Sequence, residues 1–271
     1  MQDVKINSSN DSQQRNFQYL AGKATCLTQN KEFKDYLMKW SMKGRIFCQC
    51  FSFDCQFKVH SAQEFIEDFF KDNVIVSNLQ TVSDNTGELV ALCEKASSVS
   101  LEPVPCTHTT MDLFGRLADE VIRDDGQIKR CFDEWIDEVQ ISDNLRQMLL
   151  NEDSEAYLLY DEPERNEFLF RLLLHFAIGG RLCQFEDSIH PYLDIVKALY
   201  KDLITVQKDP ETRKLQVISH VYKVVAKDDK GRAFYPDSGQ QQHLNTFAYL
   251  IIDPLKRLAF VLHHRFGNGQ F

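Results

Sequence analysis

The chain has 271 residues, 43% hydrophobic and 26% charged, enough to bury a core in one large domain or two small ones. Forty acidic residues against 31 basic leave a formal charge of -9, which repels nucleic-acid backbones unless the basic residues gather on one face, and no such cluster is visible. The longest apolar stretch, 168–178, is about half a membrane span and contains Arg171 and His175, so no membrane insertion is expected.

Residues 1–15 are polar, too poor in apolar side chains to repay the entropy of ordering, and read as a disordered tail without the apolar core of a secretory signal. A helix is predicted over 31–43, because Phe33, Tyr36, Leu37 and Trp40 fall on one stripe and Gly44 can end it. The aromatic run 45–53 reads as a strand. Ser61 and Glu64 have the spacing of a capping box ahead of a helix ending near Asp72. A short strand follows at 89–93 after a turn at 84–87, and Pro103 and Pro105 impose an extended connection. Further helices are expected at 111–118 and at 143–150, the latter with Ser142 as N-cap.

Asp161, Pro163 and Glu164 signal a strong helix start, and 168–178, apolar almost all round, belongs at the centre of the fold before Gly179 and Gly180 stop it. Another helix is read at 191–203. The last third changes character: 215–225, 244–252 and 258–266 are β-branched and aromatic runs that predict an antiparallel meander, with a solvated loop at 227–242. The expectation is an α+β fold, residues 16–271 forming a single globular domain with helices in the first two thirds.

No phosphate loop, nucleophile elbow or zincin helix is present. Eight cysteines in a chain this size read as reduced thiols. Cys48, Cys50, Cys55 and His60 are the best zinc candidates, but their spacing is poor and Cys48 and Cys50 suit a buried strand face equally well. His220 and His263 are a weaker pair. Two carboxylate clusters, Asp119, Glu120, Asp124 and Asp125, and Glu152, Asp153 and Glu155, have the chemistry of acid/base catalysis, and also that of caps and solvated turns. His175 reads as a hydrogen-bonded core histidine. The abundance of phenylalanine, 20 in all, exceeds what simple cores need and suggests contact surfaces.

An ordered series of short motifs is more specific. Trp40-Ser41-Met42-Lys43-Gly44-Arg45-Ile46, Phe53-Asp54, Phe69-Phe70-Lys71-Asp72, Ile141-Ser142-Asp143, Gly180-Arg181-Leu182-Cys183-Gln184, Glu186-Asp187 and Pro191-Tyr192-Leu193 stand among a dozen that run from about residue 30 to the end. In this order they resemble the cilia- and flagella-associated protein 300 family. That resemblance implies a non-enzymatic protein of cytoplasm and motile cilium, with no cofactor and no catalytic residues. It implies a role in assembling outer and inner axonemal dynein arms and delivering them to the axoneme. The implied partners are cytoplasmic dynein assembly factors, dynein arm components and the intraflagellar transport machinery. Candidate partner-binding residues within the motifs are Arg45, Asp54, Lys71, Gln184 and Asp187. Each has a plainer alternative, such as a carboxylate pair for Arg45 or a helix cap for Asp187.

Overall fold

The computed structural model describes residues 15–83, 88–118, 120–136, 138–234 and 243–270. The predicted turn at 84–87, Asp119, the glutamine run at 240–242 and the first fourteen residues lie outside the described residues. Arg15, read from the sequence as part of the tail, ion-pairs with Glu64 at 3.1 Å and with Asp68.

Six antiparallel strands form the central sheet: β1 (Phe17–Tyr19), β2 (Ile46–Phe53), β3 (Ser98–Val104), β4 (His220–Lys227), β5 (Phe247–Asp253) and β6 (Leu258–His264). Their spatial order is β1-β2-β6-β5-β4-β3. The predicted meander is β4-β5-β6, and it joins the early strand β2 through β6, with Cys48 opposite Leu262 and Phe51 opposite Ala259. β5 is buried along its whole length, which is why it reads as a continuous apolar run and not as an alternating one.

Helices cover both faces. Phe247, Tyr249, Ile251, Phe260 and Leu262 face a core shared with α1 (Lys31–Lys39), α3 (Asn144–Leu150), α4 (Phe168–Ile178) and α5 (His190–Leu203). Ala248, Leu250, Ile252 and Val261 face the opposite core, built on α2 (Ala62–Lys71). There Phe17, Phe51, Phe53, Phe65 and Phe69 pack edge to face, with Phe53 and Phe65 ring centres 5.0 Å apart and Phe17 and Phe69 5.3 Å apart. That geometry suits the ring quadrupoles, so most of the phenylalanines are consumed by packing. The architecture is α+β, as the sequence indicates.

Several local expectations are corrected. Ser61 precedes α2 without capping it: its hydroxyl donates to the Lys58 carbonyl at 3.2 Å, so the Ser61/Glu64 capping box does not form. The cap of α3 is Asp143, not Ser142, and its carboxylate accepts the Arg146 N–H at 2.9 Å. The start at Asp161 is a true capping box, but its helix ends after Asn166. Glu167 turns the chain there because its buried carboxylate accepts the Thr107 N–H at 3.0 Å and the Thr107 hydroxyl at 2.7 Å. The segment 111–118 is a 3₁₀ turn over Asp112–Leu117. The run 215–225 breaks at Ile218 and Ser219, its first residues pairing instead with Val206–Lys208. The connection before Pro105 is the edge strand β3, where Pro103 is tolerated because an edge has no ladder on one side.

Candidate interaction site

Five of the matched motifs meet at one place. After α1 the chain turns through Trp40 and Ser41, the latter at φ 57°, and packs against the loop that follows α4. The Gly180 N–H donates to the Trp40 carbonyl at 2.8 Å and the Gln184 N–H to the Lys39 carbonyl at 3.0 Å. The carboxyl-terminal segment crosses both: the Arg181 N–H donates to the Gly267 carbonyl at 2.9 Å, and the Gly269 N–H to the Ser41 hydroxyl at 2.8 Å. Three backbones approach this closely only where side chains are missing. A Cβ on Gly180 would lie 2.1 Å from the Ser41 carbonyl oxygen, and Gly179 combines φ 65° with a site 2.7 Å from the Trp40 oxygen. The glycine pair therefore does more than stop a helix.

Beneath this crossing the indole of Trp40 is fully buried, stacked on Tyr192 at 4.8 Å, and its Nε1–H donates to Glu186 at 3.0 Å. Lys39 closes the other Glu186 oxygen at 2.6 Å. The Tyr192 hydroxyl accepts from the Glu186 N–H at 2.9 Å and from Arg146 at 2.7 Å. Arg146, itself wholly buried, pairs with Asp143, donates to the Ala177 carbonyl at 2.6 Å and lies 3.6 Å from the centre of the Phe185 ring. Residues of five motifs are thus held in one rigid network.

On the outside of the network lies a cleft of about 320 Å³ whose walls include Arg130, Trp135, Arg181, Phe185 and Phe266. Trp135 projects from the hairpin Arg130–Ile136 and Val139–Asp143 and is 69% exposed, while Phe132 on the same hairpin is 97% exposed. Leu182 adds apolar surface beside Arg181. Arg130 ion-pairs with Asp187, and Arg181 has no carboxylate partner among the described residues. Exposed aromatic side chains flanked by guanidinium groups are the usual composition of protein contact sites.

The sequence candidates separate into two groups. Arg45 lies under the crossing: its guanidinium donates to the Arg265 and Phe266 carbonyls at 3.1 and 3.0 Å, not to a carboxylate, and so fixes Phe266 in the cleft wall. Gln184 and Asp187 are exposed beside the cleft, and Asp187 caps no helix, since the N-cap of α5 is Ile189 and no side chain caps that helix. Asp54 sits at the far end of β2, accepting from the Asn16 N–H at 3.0 Å and its amide at 2.6 Å, which hold the carboxyl below the usual range. Lys71 pairs with Glu67 at 3.2 Å on α2, across the sheet. Trp135 and Phe132 went unread in the sequence. Their signal was the alternation in Arg130-Cys131-Phe132-Asp133-Glu134-Trp135-Ile136, disguised by a bulge between Arg130 and Glu134.

The arrangement is suited to holding a partner. Cys183 in the cleft wall is pushed up to about 12 by burial, and Cys50 and Cys106 likewise, so these thiols are poor nucleophiles. Cys48 and Cys50 join one core and Cys55 the other, so the proposed zinc set does not converge. Among the described residues no three His, Cys, Asp or Glu side chains are grouped to hold a metal ion. His220 stands opposite Ile252 and His263 opposite Ala248, at different ends of β5, which removes that pair. Glu120, Asp124, Asp125, Glu152, Asp153 and Glu155 all face solvent. No described helix is long and apolar enough to cross a membrane.

The sequence profile of the family described as cilia- and flagella-associated protein 300 matches residues 14–264. A Chlamydomonas reinhardtii protein of that name is 33% identical over 238 residues, covering 86% of this chain and 91% of the relative. One from Paramecium tetraurelia is 29% identical over 262 residues, covering 97% and 98%. No solved structure matches. With a profile spanning nearly the whole of the described fold, the chain belongs to the cilia- and flagella-associated protein 300 family.

Proposed function

We propose that the chain is a non-enzymatic adaptor that helps outer and inner axonemal dynein arms to be assembled in the cytoplasm and delivered into motile cilia. Its partners in this reading are cytoplasmic dynein assembly factors, dynein arm components and the intraflagellar transport machinery. Membership of a cilia- and flagella-associated family supports the cilium as its place of action. The observation that carries the adaptor reading is the cleft faced by Trp135 and Arg181 on the outside of the network that five motifs build, with Phe132 exposed on the same hairpin. The solvated carboxylate clusters and protonated buried thiols favour binding over catalysis.

Removal of the protein from a ciliated cell tests this. Cilia should still form, lack dynein arms in cross-section and beat poorly. Arms of normal number and spacing would refute the proposal.

A further inference from the structure

One strand of the central sheet is left partly uncovered. β1 pairs with β2 only from Phe17 opposite Phe53 to Tyr19 opposite Phe51, and the ladder ends where the Leu20 N–H donates to the Cys50 carbonyl at 2.9 Å. In a strand, residues two apart direct their N–H and C=O to the same edge. Cys48 therefore presents both groups on the edge that β1 has already left, while the opposite edge of β2 is occupied by β6 along its length.

A cavity of about 500 Å³ follows this edge. Every residue from Ile46 to Cys50 lines it, which happens only when a cavity runs beside a strand and not over one face. Its far wall is apolar, with Leu20, Leu27 and Leu37. Lys23, Lys34 and Lys43 also line it, all three exposed, and no Asp or Glu does. Among the described residues none of these lysines has an ion-pair partner. In a chain of net charge -9 this is a local excess of positive charge over an apolar floor and an open backbone edge.

We propose that this edge docks an extended acidic segment of a partner protein. The segment adds beside β2 as a strand, exchanges hydrogen bonds with Cys48, sends alternate apolar side chains against Leu27 and Leu37, and meets the three lysines with its carboxylates. The proposal rests on the reading that the chain works by binding proteins. An aliphatic carboxylate would satisfy the lysines and the apolar wall but leave the Cys48 backbone unpaired. A second copy of the chain would bring like charges face to face.

Random dodecapeptides displayed on phage, selected on the intact protein at low salt, give the test. Selected peptides should alternate acidic and apolar residues and slow hydrogen exchange at the Cys48 N–H. Combined Lys23→Glu, Lys34→Glu and Lys43→Glu substitution, on exposed positions that leave the fold intact by circular dichroism, should weaken them roughly a hundredfold. Recovery of no peptides, or of peptides that leave Cys48 exchange unchanged or bind the triple variant equally, would overturn the proposal. So would protection of the edge by palmitate alone, or by self-association seen in sedimentation. Normal dynein arms in cells lacking the protein would sink the proposed function and leave this result standing.

Discussion

Arg146 and Asp143 meet at 2.7 Å with neither side chain reaching solvent, one turn apart at the start of α3. The pair ties that helix to the Ala177 carbonyl near the end of α4 and to Tyr192 on α5. Replacing Arg146 by Met strands a buried carboxylate and should cost about 3–5 kcal/mol in urea unfolding. Adding Asp143→Asn should recover part of the loss, because no ion remains and the amide oxygen can still accept the Arg146-position N–H.

Gly180→Ala forces a methyl group onto the Ser41 carbonyl, a backbone atom that cannot swing aside. It should destabilise the fold by about 2 kcal/mol or more, as overpacking does. Gly22→Ala is the control, since nothing lies within 4 Å of the added carbon, and its midpoint should be nearly unchanged.

Acid should loosen the sheet through three buried histidines. His175, His263 and His264 are each pulled down to about 3, chiefly by burial. The Asn245 amide, whose Nδ2 donates to the His175 and Gly179 carbonyls, turns its oxygen to His175 Nδ1 at 2.7 Å, so Nε2 accepts from the Tyr249 hydroxyl at 2.8 Å. Unfolded, all three protonate near pH 6.5. The unfolded chain therefore binds more protons below that pH, and stability falls as pH drops from about 6.5 toward 3, by up to about 4 kcal/mol per pH unit if all three contribute. Urea midpoints at pH 7.5, 6.5 and 5.5 should decline progressively, and a flat profile would contradict this.

Trp135→Ala and Phe132→Ser remove exposed side chains and should leave stability within about 0.5 kcal/mol. If the cleft binds a partner through them, capture of dynein assembly factors from ciliated cells should weaken about thirtyfold. Unaltered capture would move the contact elsewhere.

Local signals in the sequence were legible where backbone chemistry alone decides. The Asp161 capping box formed as read, with Glu164 returning to the Asp161 N–H at 3.1 Å, and Asp161→Ala should cost about 1 kcal/mol. Ser61 had the same spacing, but a 3₁₀ turn at Val59–Ser61 had already taken its hydroxyl, so Ser61→Ala should be close to neutral. The buried run at 168–178 and the meander were visible because their apolar patterns are long. What the sequence could not show was partnership at a distance. Glu167 breaks a helix for Thr107, sixty residues away, and Arg45 serves two carbonyls at the opposite end of the chain. Within the candidate site the motifs pointed to Arg45, Gln184 and Asp187, whereas Trp135 and Phe132 needed the hairpin before they could be recognised as surface.

The position of β6 between β2 and β5 sets when the protein can fold during its synthesis. Strand β2 is complete at Phe53, yet β6, its full-length neighbour among the described residues, does not begin until Leu258. A nascent polypeptide must therefore carry its aromatic strand without that partner until β6 has been made. A premature stop codon anywhere before residue 258 would leave β2 and β5 with no strand between them, whichever surface the shortened chain still carried.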